Sequence, residues 1–115
     1  MIALISAVVA GCELAPCDHV VRTSQTSPDG GYTAYIVDVG CGATTNDVVW
    51  LDLTRSGDKL DFKKDSFAVF EGDIRGVAWH GEKLIVDYGS ARPNRMEKKF
   101  DGIDISYVTV SSSNW

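Results

Sequence analysis

The chain is poor in the features that usually announce chemistry. It holds three cysteines and two histidines in 115 residues. No two cysteines form a Cys-x-x-Cys pair, the spacing used by dithiol redox sites. Cys17, His19 and Cys41 lack a fourth ligand at a spacing zinc would use. Asp58, Asp61 and Asp65 bracket Lys59, Lys63 and Lys64 in a pattern that does not fit a calcium loop, so this stretch reads as a solvated charged connection. A catalytic histidine needs an orienting carboxylate and a nucleophile close by. Sequence spacing supplies neither to His19 nor to His80, and a solvated turn histidine is the reading for His80. There is no internal repeat, no low-complexity tract and no long run of like charge. Sixteen acidic against eleven basic residues leave a net charge of −5. That balance argues against general affinity for nucleic acid or anionic lipid headgroups, and it is also an ordinary solubility charge. These absences point away from an enzyme and from any metal or cofactor.

Long apolar runs are missing too. Ile2-Ala-Leu-Ile-Ser-Ala-Val-Val stops well short of the roughly 20 residues that span a bilayer as a helix. It has the length of the apolar region of a secretory signal. Val9-Ala10-Gly11-Cys12, which closes it, resembles the lipobox of bacterial lipoprotein signal peptides. Small residues at Ala10 and Gly11 let the backbone enter a peptidase cleft, and the Cys12 thiol can accept a diacylglycerol. No Lys or Arg precedes the run, a departure from the usual basic start, and a buried N-terminal strand is the competing reading. The resemblance implies that residues 1–11 are a signal peptide and that Cys12 is the lipidated first residue of a protein anchored to a bacterial membrane, facing outside the cytoplasm. Residues 12–26 then read as a tether and 27–115 as one domain. With Cys12 acylated, Cys17 and Cys41 remain as a pair. An oxidising envelope compartment would let them form a disulfide across a loop of about 25 residues, worth on the order of 3 kcal/mol in the chain-entropy model. Two free thiols are the alternative.

From the tether onward the sequence is strand-like. An early strand is expected around His19–Arg22. Ser27-Pro28-Asp29-Gly30-Gly31 is a turn, with Pro28 presetting φ and Asp29 able to bond nearby backbone. Tyr32-Thr-Ala-Tyr-Ile-Val-Asp-Val is aromatic and β-branched. Val48–Thr54 puts Val49, Leu51 and Leu53 on one face, and Arg55–Asp58 is a turn. Ser66–Phe70 is a further strand. Gly76–Trp79 and Lys83–Tyr88 flank His80-Gly81-Glu82 as a tight hairpin with Gly81 at positive φ. Leu84, Val86 and Tyr88 face inward there, and Lys83 and Asp87 outward. Gly89–Asn94 reads as a polar loop, Met96–Phe100 as a brief pairing segment before the Asp101-Gly102 turn, and Ile103–Val110 as the closing strand. Strands at this spacing predict an all-β domain: a small antiparallel sandwich, a meander or a partial barrel.

Two further resemblances attach to these residues. Ser27-Pro28-Asp29-Gly30 followed by Tyr32-Thr33-Ala34-Tyr35 is similar to the strand-turn-strand signature of β-propeller blades, and Val77–Leu84 is similar to a degenerate second copy. A propeller needs typically 4–8 blades, so a complete one is excluded while a blade-like sheet stays open. The lipobox, then the Ser-Pro-Asp-Gly-x-Tyr-x-Ala segment, then Cys41-Gly42-Ala43-Thr44-Thr45, resembles a group of short bacterial envelope proteins. That resemblance implies location and fold class, with no activity to carry over.

The best candidate for a binding loop is Gly42, Ala43, Thr44, Thr45 and Asn46. Its backbone N–H groups, hydroxyls and amide could cradle an anion or sugar hydroxyls. A disulfide-anchored hairpin loop whose hydroxyls serve the turn is the plainer reading. Arg92, Arg95, Lys98 and Lys99 make a local basic patch able to meet anionic polymer or headgroups, or simply a soluble edge. Trp50, Trp79, Tyr32, Tyr35 and Tyr88 could form a sugar platform, with core packing as the default. The expected protein is a lipid-anchored envelope binding module, in its specific form an inhibitor or immunity protein capping a basic envelope-acting enzyme. A structural accessory subunit of an envelope complex is the first alternative and a small hydrolase the second.

Overall fold

The computed structural model describes residues 18–40 and 48–109, and within that range the protein is all-β. The strands in chain order are β1 (Asp18–Thr26), β2 (Tyr32–Gly40), β3 (Val48–Arg55), β4 (Ser66–Glu71), β5 (Gly76–His80), β6 (Lys83–Asp87), β7 (Arg92–Met96), β8 (Lys99–Phe100) and β9 (Ile103–Val108). The large sheet has the order β1-β2-β3-β4-β7 and the small one β5-β6-β9-β8. Every pair in the large sheet is antiparallel. In the small sheet β6 and β9 run parallel, and the other two pairs are antiparallel. The two sheets pack as a small sandwich that does not close into a barrel.

Side-chain alternation explains why β3 sits centrally. Its inward residues Val49, Leu51 and Leu53 are at most 1% exposed, as strand period two requires of a face turned to the core. Across the ladder Leu51 lies opposite Ile36 and Ala68, and Val49 opposite Phe70. Leu84, Val86 and Ile105 from the small sheet close the core over them, with Ile74 and Ala91 from the connections. Burying a side chain of this size contributes about 1.5–3 kcal/mol, so this layer carries most of the driving force.

The turns form through the residues whose chemistry announces them. At Ser27–Gly31 the Ser27 hydroxyl donates to Asp29 Oδ1 at 2.7 Å and accepts from Tyr32 N–H at 3.1 Å, while Gly31 N–H donates to the same Asp29 oxygen at 2.9 Å. These bonds favour the ionised Asp29 and lower its pKa, the Gly31 amide contributing most. The β5–β6 turn has Gly81 at φ 65°, the first turn position, where a type II′ turn calls for glycine. At the β8–β9 turn Asp101 and Gly102 both have positive φ, 50° and 81°, as in the Asp-Gly type I′ turn.

Three features differ from the sequence expectation. The early strand extends through Thr26, so the polar residues Thr23–Thr26 read as tether belong to β1. They are tolerated because β1 is an edge strand, exposed at nearly every position. The stretch Gly89–Asn94, read as a loop, contains the start of β7. Pro93 can sit there because β7 is the other edge of the large sheet, where one row of backbone donors has no partner strand. Lastly, β6 and β9 are parallel, a pairing that alternation cannot encode. It arises because the chain crosses from the large sheet to the small one between β7 and β8. Glu97 N–H still donates to Phe67 O, while Lys98 O already accepts from Ile105 N–H, both at 2.9 Å.

Candidate functional site

Cys12, Cys17, Cys41 and the loop residues Gly42, Ala43, Thr44, Thr45 and Asn46 lie outside the described residues. The sheet places the two ends of the chain that flank this loop. Gly40 ends β2 and Val48 begins β3, and both line a groove of about 350 Å³ at the mouth of the sandwich. Its apolar lining comes from Val39, Val48 and Val49, and its charged wall from Arg22, Asp38 and Asp73.

Arg22 reaches this groove through a β-bulge. Val21 pairs with Val37 and Thr23 with Ile36, leaving Arg22 as the extra residue; such bulges re-aim a side chain and twist an edge. Its guanidinium meets Asp38 with two nitrogens, Nε at 3.1 Å from Oδ2 and Nη2 against Oδ1, and donates from Nη1 to Asp73 Oδ1 at 2.8 Å. The Asp38 bond, above all, holds the guanidinium further toward its charged form, against some loss from burial. The fork-on-carboxylate geometry is directional, but the groups are partly solvated, so its net contribution to stability is about 1 kcal/mol or less. Two carboxylates around one cation leave the groove wall with a net negative charge.

A second cluster occupies the outer face of the large sheet, the face turned away from the small sheet. His19 meets Trp50 edge-on with centroids 4.9 Å apart, and Phe62 stacks on His19 at 4.8 Å. Phe62 belongs to the β3–β4 connection, whose end folds into one tight turn. Asp65 N–H donates to Asp61 O at 2.9 Å, Asp65 Oδ2 accepts from Asp61 N–H at 2.8 Å, and Asp61 Oδ1 accepts from Lys63 and Lys64 N–H at 2.9 and 3.1 Å. The Lys64 and Lys63 amides lower the Asp61 pKa. Next to Trp50 on this face lies Asp52, 0% exposed, with Val37 and Val39 also buried there. Neither Asp52 carboxylate oxygen has a hydrogen-bond partner among the described residues. Burial pushes its pKa up to about 7, helped by Asp65 and Asp61 and opposed by Arg95. The Arg95 guanidinium is occupied elsewhere, donating to Ser66 Oγ at 2.8 Å and Ser66 O at 3.2 Å.

The other sequence candidates are dispersed. Trp50 lies on the outer face, Trp79 N–H donates to Gln25 O at 2.8 Å, Tyr32 OH donates to Asp101 O at 3.2 Å, and Tyr88 stacks on Phe70 at 5.1 Å. These aromatics form no common platform. In the basic patch, Arg95 pairs with Glu97 and Lys99 with Asp104, each at 3.6 Å. Arg92 is exposed at the start of β7 and Lys98 borders a second groove with Tyr88 and Tyr107. His80 is exposed at the β5–β6 turn. Among the described residues no group of three or more His, Cys, Asp or Glu side chains could hold a metal ion.

Sequence reasoning did not single out Arg22, Asp38, Asp73 or Asp52. Asp52 alternates with Leu51 and Leu53, so by pattern it faces water. The signal that it does not is Leu60 and Phe62, two apolar residues in an otherwise charged connection, which mark a segment with a surface to cover. No family model, curated protein or solved structure matches this chain.

Proposed function

We propose that this chain is a lipid-anchored binding or interaction module of the bacterial cell envelope, with Cys12 as its acylated first residue and no enzymatic activity. The observation that carries this reading is the short apolar run ending in Val9-Ala10-Gly11-Cys12. The Cys17–Cys41 disulfide belongs to the same proposal. Its support is that Asp18 and Gly40, the residues next to these cysteines in sequence, are directly paired between β1 and β2.

The partner chemistry that fits is basic. The groove between the ends of β2 and β3 has an apolar floor and a wall in which two carboxylates share the single Arg22 guanidinium, leaving a net negative charge, and the chain carries −5 overall. A cationic side chain with an aliphatic stem suits both parts. An inhibitor or immunity protein for a basic envelope-acting enzyme is the specific form of this reading. The one strongly shifted carboxyl group among the described residues, Asp52, is fully buried and lines none of the grooves described above, so it offers no support to a hydrolase.

Intact mass of the protein from membranes of its native host, before and after reduction and alkylation, tests the anchor. A chain starting at acylated Cys12, with Cys17 and Cys41 unreactive until reduced, is the expected result. An unprocessed chain with three reactive thiols overturns it. Binding to no envelope protein, together with unchanged lysozyme-type activity in the presence of the purified domain, removes the inhibitor form.

The accessory-subunit reading has its own support in β1. No strand among the described residues pairs with its outer edge, and Val20 and Val21 there are 60% and 41% exposed. A long edge of this kind is a template for strand addition by another chain.

A further inference from the structure

The outer face of the large sheet presents an unusual combination: a carboxyl group with no exposed surface, no hydrogen-bond partner among the described residues, and two more carboxylates in the turn beside it. We propose that Asp52 is a proton-operated latch. With its carboxyl protonated the Asp61–Asp65 turn seals this face, and when the carboxyl ionises the turn lifts Phe62 off His19 and uncovers the face.

The geometry decides which part moves. An ionised carboxylate without hydrogen bonds is costly to keep buried, so either water must reach it or the strand that carries it must leave. The strand is held on both sides: Asp52 pairs with Tyr35 of β2 and Ser66 of β4, in the middle of the antiparallel sheet. The connection is held more lightly. Its ends are fixed by Ser56 N–H to Gly31 O and Leu53 N–H to Asp65 O, both at 2.9 Å, and most of its residues are exposed. Its internal bonds, centred on Asp61 and Asp65, travel with it as a unit. Lifting that turn therefore costs the Phe62–His19 stack and few backbone bonds, while displacing β3 costs two ladders.

The charges that face Asp52 favour the same outcome. Asp61 and Asp65 come from the turn itself and repel an ionised Asp52, whereas Arg95 from β7 attracts it. Arg95 is drawn toward Ser66 and Glu97, so it offsets the repulsion without bonding the carboxylate. Lys63 and Lys64 lie beside Asp61 and favour its charged form, which keeps that repulsion in place. Tyr35 from β2 is the cross-strand neighbour, and His19 from β1 lies on the far side, under Phe62. The test therefore has to separate Asp52 from the other groups on this face.

Hydrogen exchange of the full chain does so. After correction for the pH dependence of chemical exchange, protection of the Leu53 and Ser56 amides, the two that fasten the connection, should fall at least about ten-fold between roughly pH 5 and pH 8.5, while the other amides of β3 stay protected. Asp52→Asn, which cannot ionise, should keep the same protection at both ends of the range. Asp65→Asn, which removes one repelling charge, should open the turn with a midpoint at higher acidity than wild type, because Asp52 then ionises more readily. Equal protection of the wild-type turn at both pH values overturns the proposal. So does a loss of protection that persists in Asp52→Asn, which would assign the change to another group. If Asp52→Asn does not fold, the Asp65→Asn midpoint decides: a shift toward acid supports the latch and an unmoved midpoint overturns it.

Discussion

The two faces of the large sheet are buried by different means. The inner face is covered by a second sheet, and its residues are apolar almost without exception: Ala34, Ile36, Val49, Leu51, Leu53, Ala68 and Phe70. The outer face is covered by ten residues of charged connection. It holds Val37 and Trp50 near one end, Asp52 and Tyr35 in the middle, and Thr33 and Thr54 at the other. The inner face depends on packing that is insensitive to pH. The outer face mixes packing with a carboxyl group whose charge decides whether the cover fits. A single strand, β3, serves both through alternate residues, so stability and pH response are separable by one position in sequence.

The largest expected effect comes from breaking the inner face. Phe70 is fully buried, stacks on Tyr88 and approaches Tyr107 at 6.4 Å. Phe70→Ala should cost about 3–5 kcal/mol, a large share of the roughly 5–15 kcal/mol available to a domain of this size. Urea unfolding should show a lower midpoint with an unchanged slope, by the same amount at pH 5 and pH 8.

The second effect depends on pH. Asp52 has a folded-state pKa of about 7, against about 3.9 for an unperturbed Asp. The folded state therefore binds this proton more tightly than the unfolded one. Its stabilising contribution is full below about pH 4, falls as the pH rises, and is gone above about pH 7, up to about 4 kcal/mol in all at 1.36 kcal/mol per unit. Asp29 and Asp61 act with the opposite sign, since their lowered values mean that stability is lost as they protonate in acid. Wild type should thus be most stable in weakly acidic solution. Asp52→Asn should flatten the alkaline side of the curve, so that the variant is the more stable of the two at pH 8 but not at pH 5. Parallel curves for the two proteins would show that Asp52 titrates normally.

How much of this was legible follows from the same comparison. The inner face was readable because alternation maps directly onto burial: Val49, Leu51 and Leu53, and Leu84 and Val86, all face the core as their spacing requires. Turn residues were readable for local reasons, as Ser27–Gly31 and Asp101-Gly102 show. The outer face was not, because its cover comes from a segment whose composition is that of a solvated loop. Asp52 has the right identity and spacing for a solvent position, and only the tertiary fold, which brings the Asp61–Asp65 turn beside it, removes it from water. The groove was missed for a related reason. Arg22 meets Asp38 through a one-residue bulge and Asp73 across 51 positions of chain, and neither contact leaves a periodic trace.

Breaking the cover without touching the carboxyl is a third comparison. Phe62 is half-buried and lies on a connection that can relax, so Phe62→Ala should cost less than Phe70→Ala, about 1–2 kcal/mol. Most of that loss should appear at acidic pH, where the turn is closed in wild type. A cost equal to that of Phe70→Ala would mean that the outer face is a second core rather than a covered surface.

The smallest effect probes the polar end of the outer face. Thr33 Oγ1 lies 3.2 Å from Thr26 Oγ1 and 3.1 Å from Ser56 Oγ, a short hydroxyl ladder that joins β1, β2 and the start of the connection. Thr33→Val keeps the shape and removes both bonds. The two former partners, Thr26 and Ser56, are exposed residues and can turn to water, so no buried polar group is stranded and the added methyl recovers part of the loss. The expected cost is about 0.5–1 kcal/mol, the net worth of ordinary hydrogen bonds rather than their gross strength. Measured by urea unfolding, this change should be independent of pH. A larger or pH-dependent cost would mean that the ladder helps to seat the Asp61–Asp65 turn, because Ser56 is the residue at which the cover leaves the sheet. The hinge of the outer face would then lie at Ser56, and the contrast between the faces would extend from what covers them to where each cover is fastened.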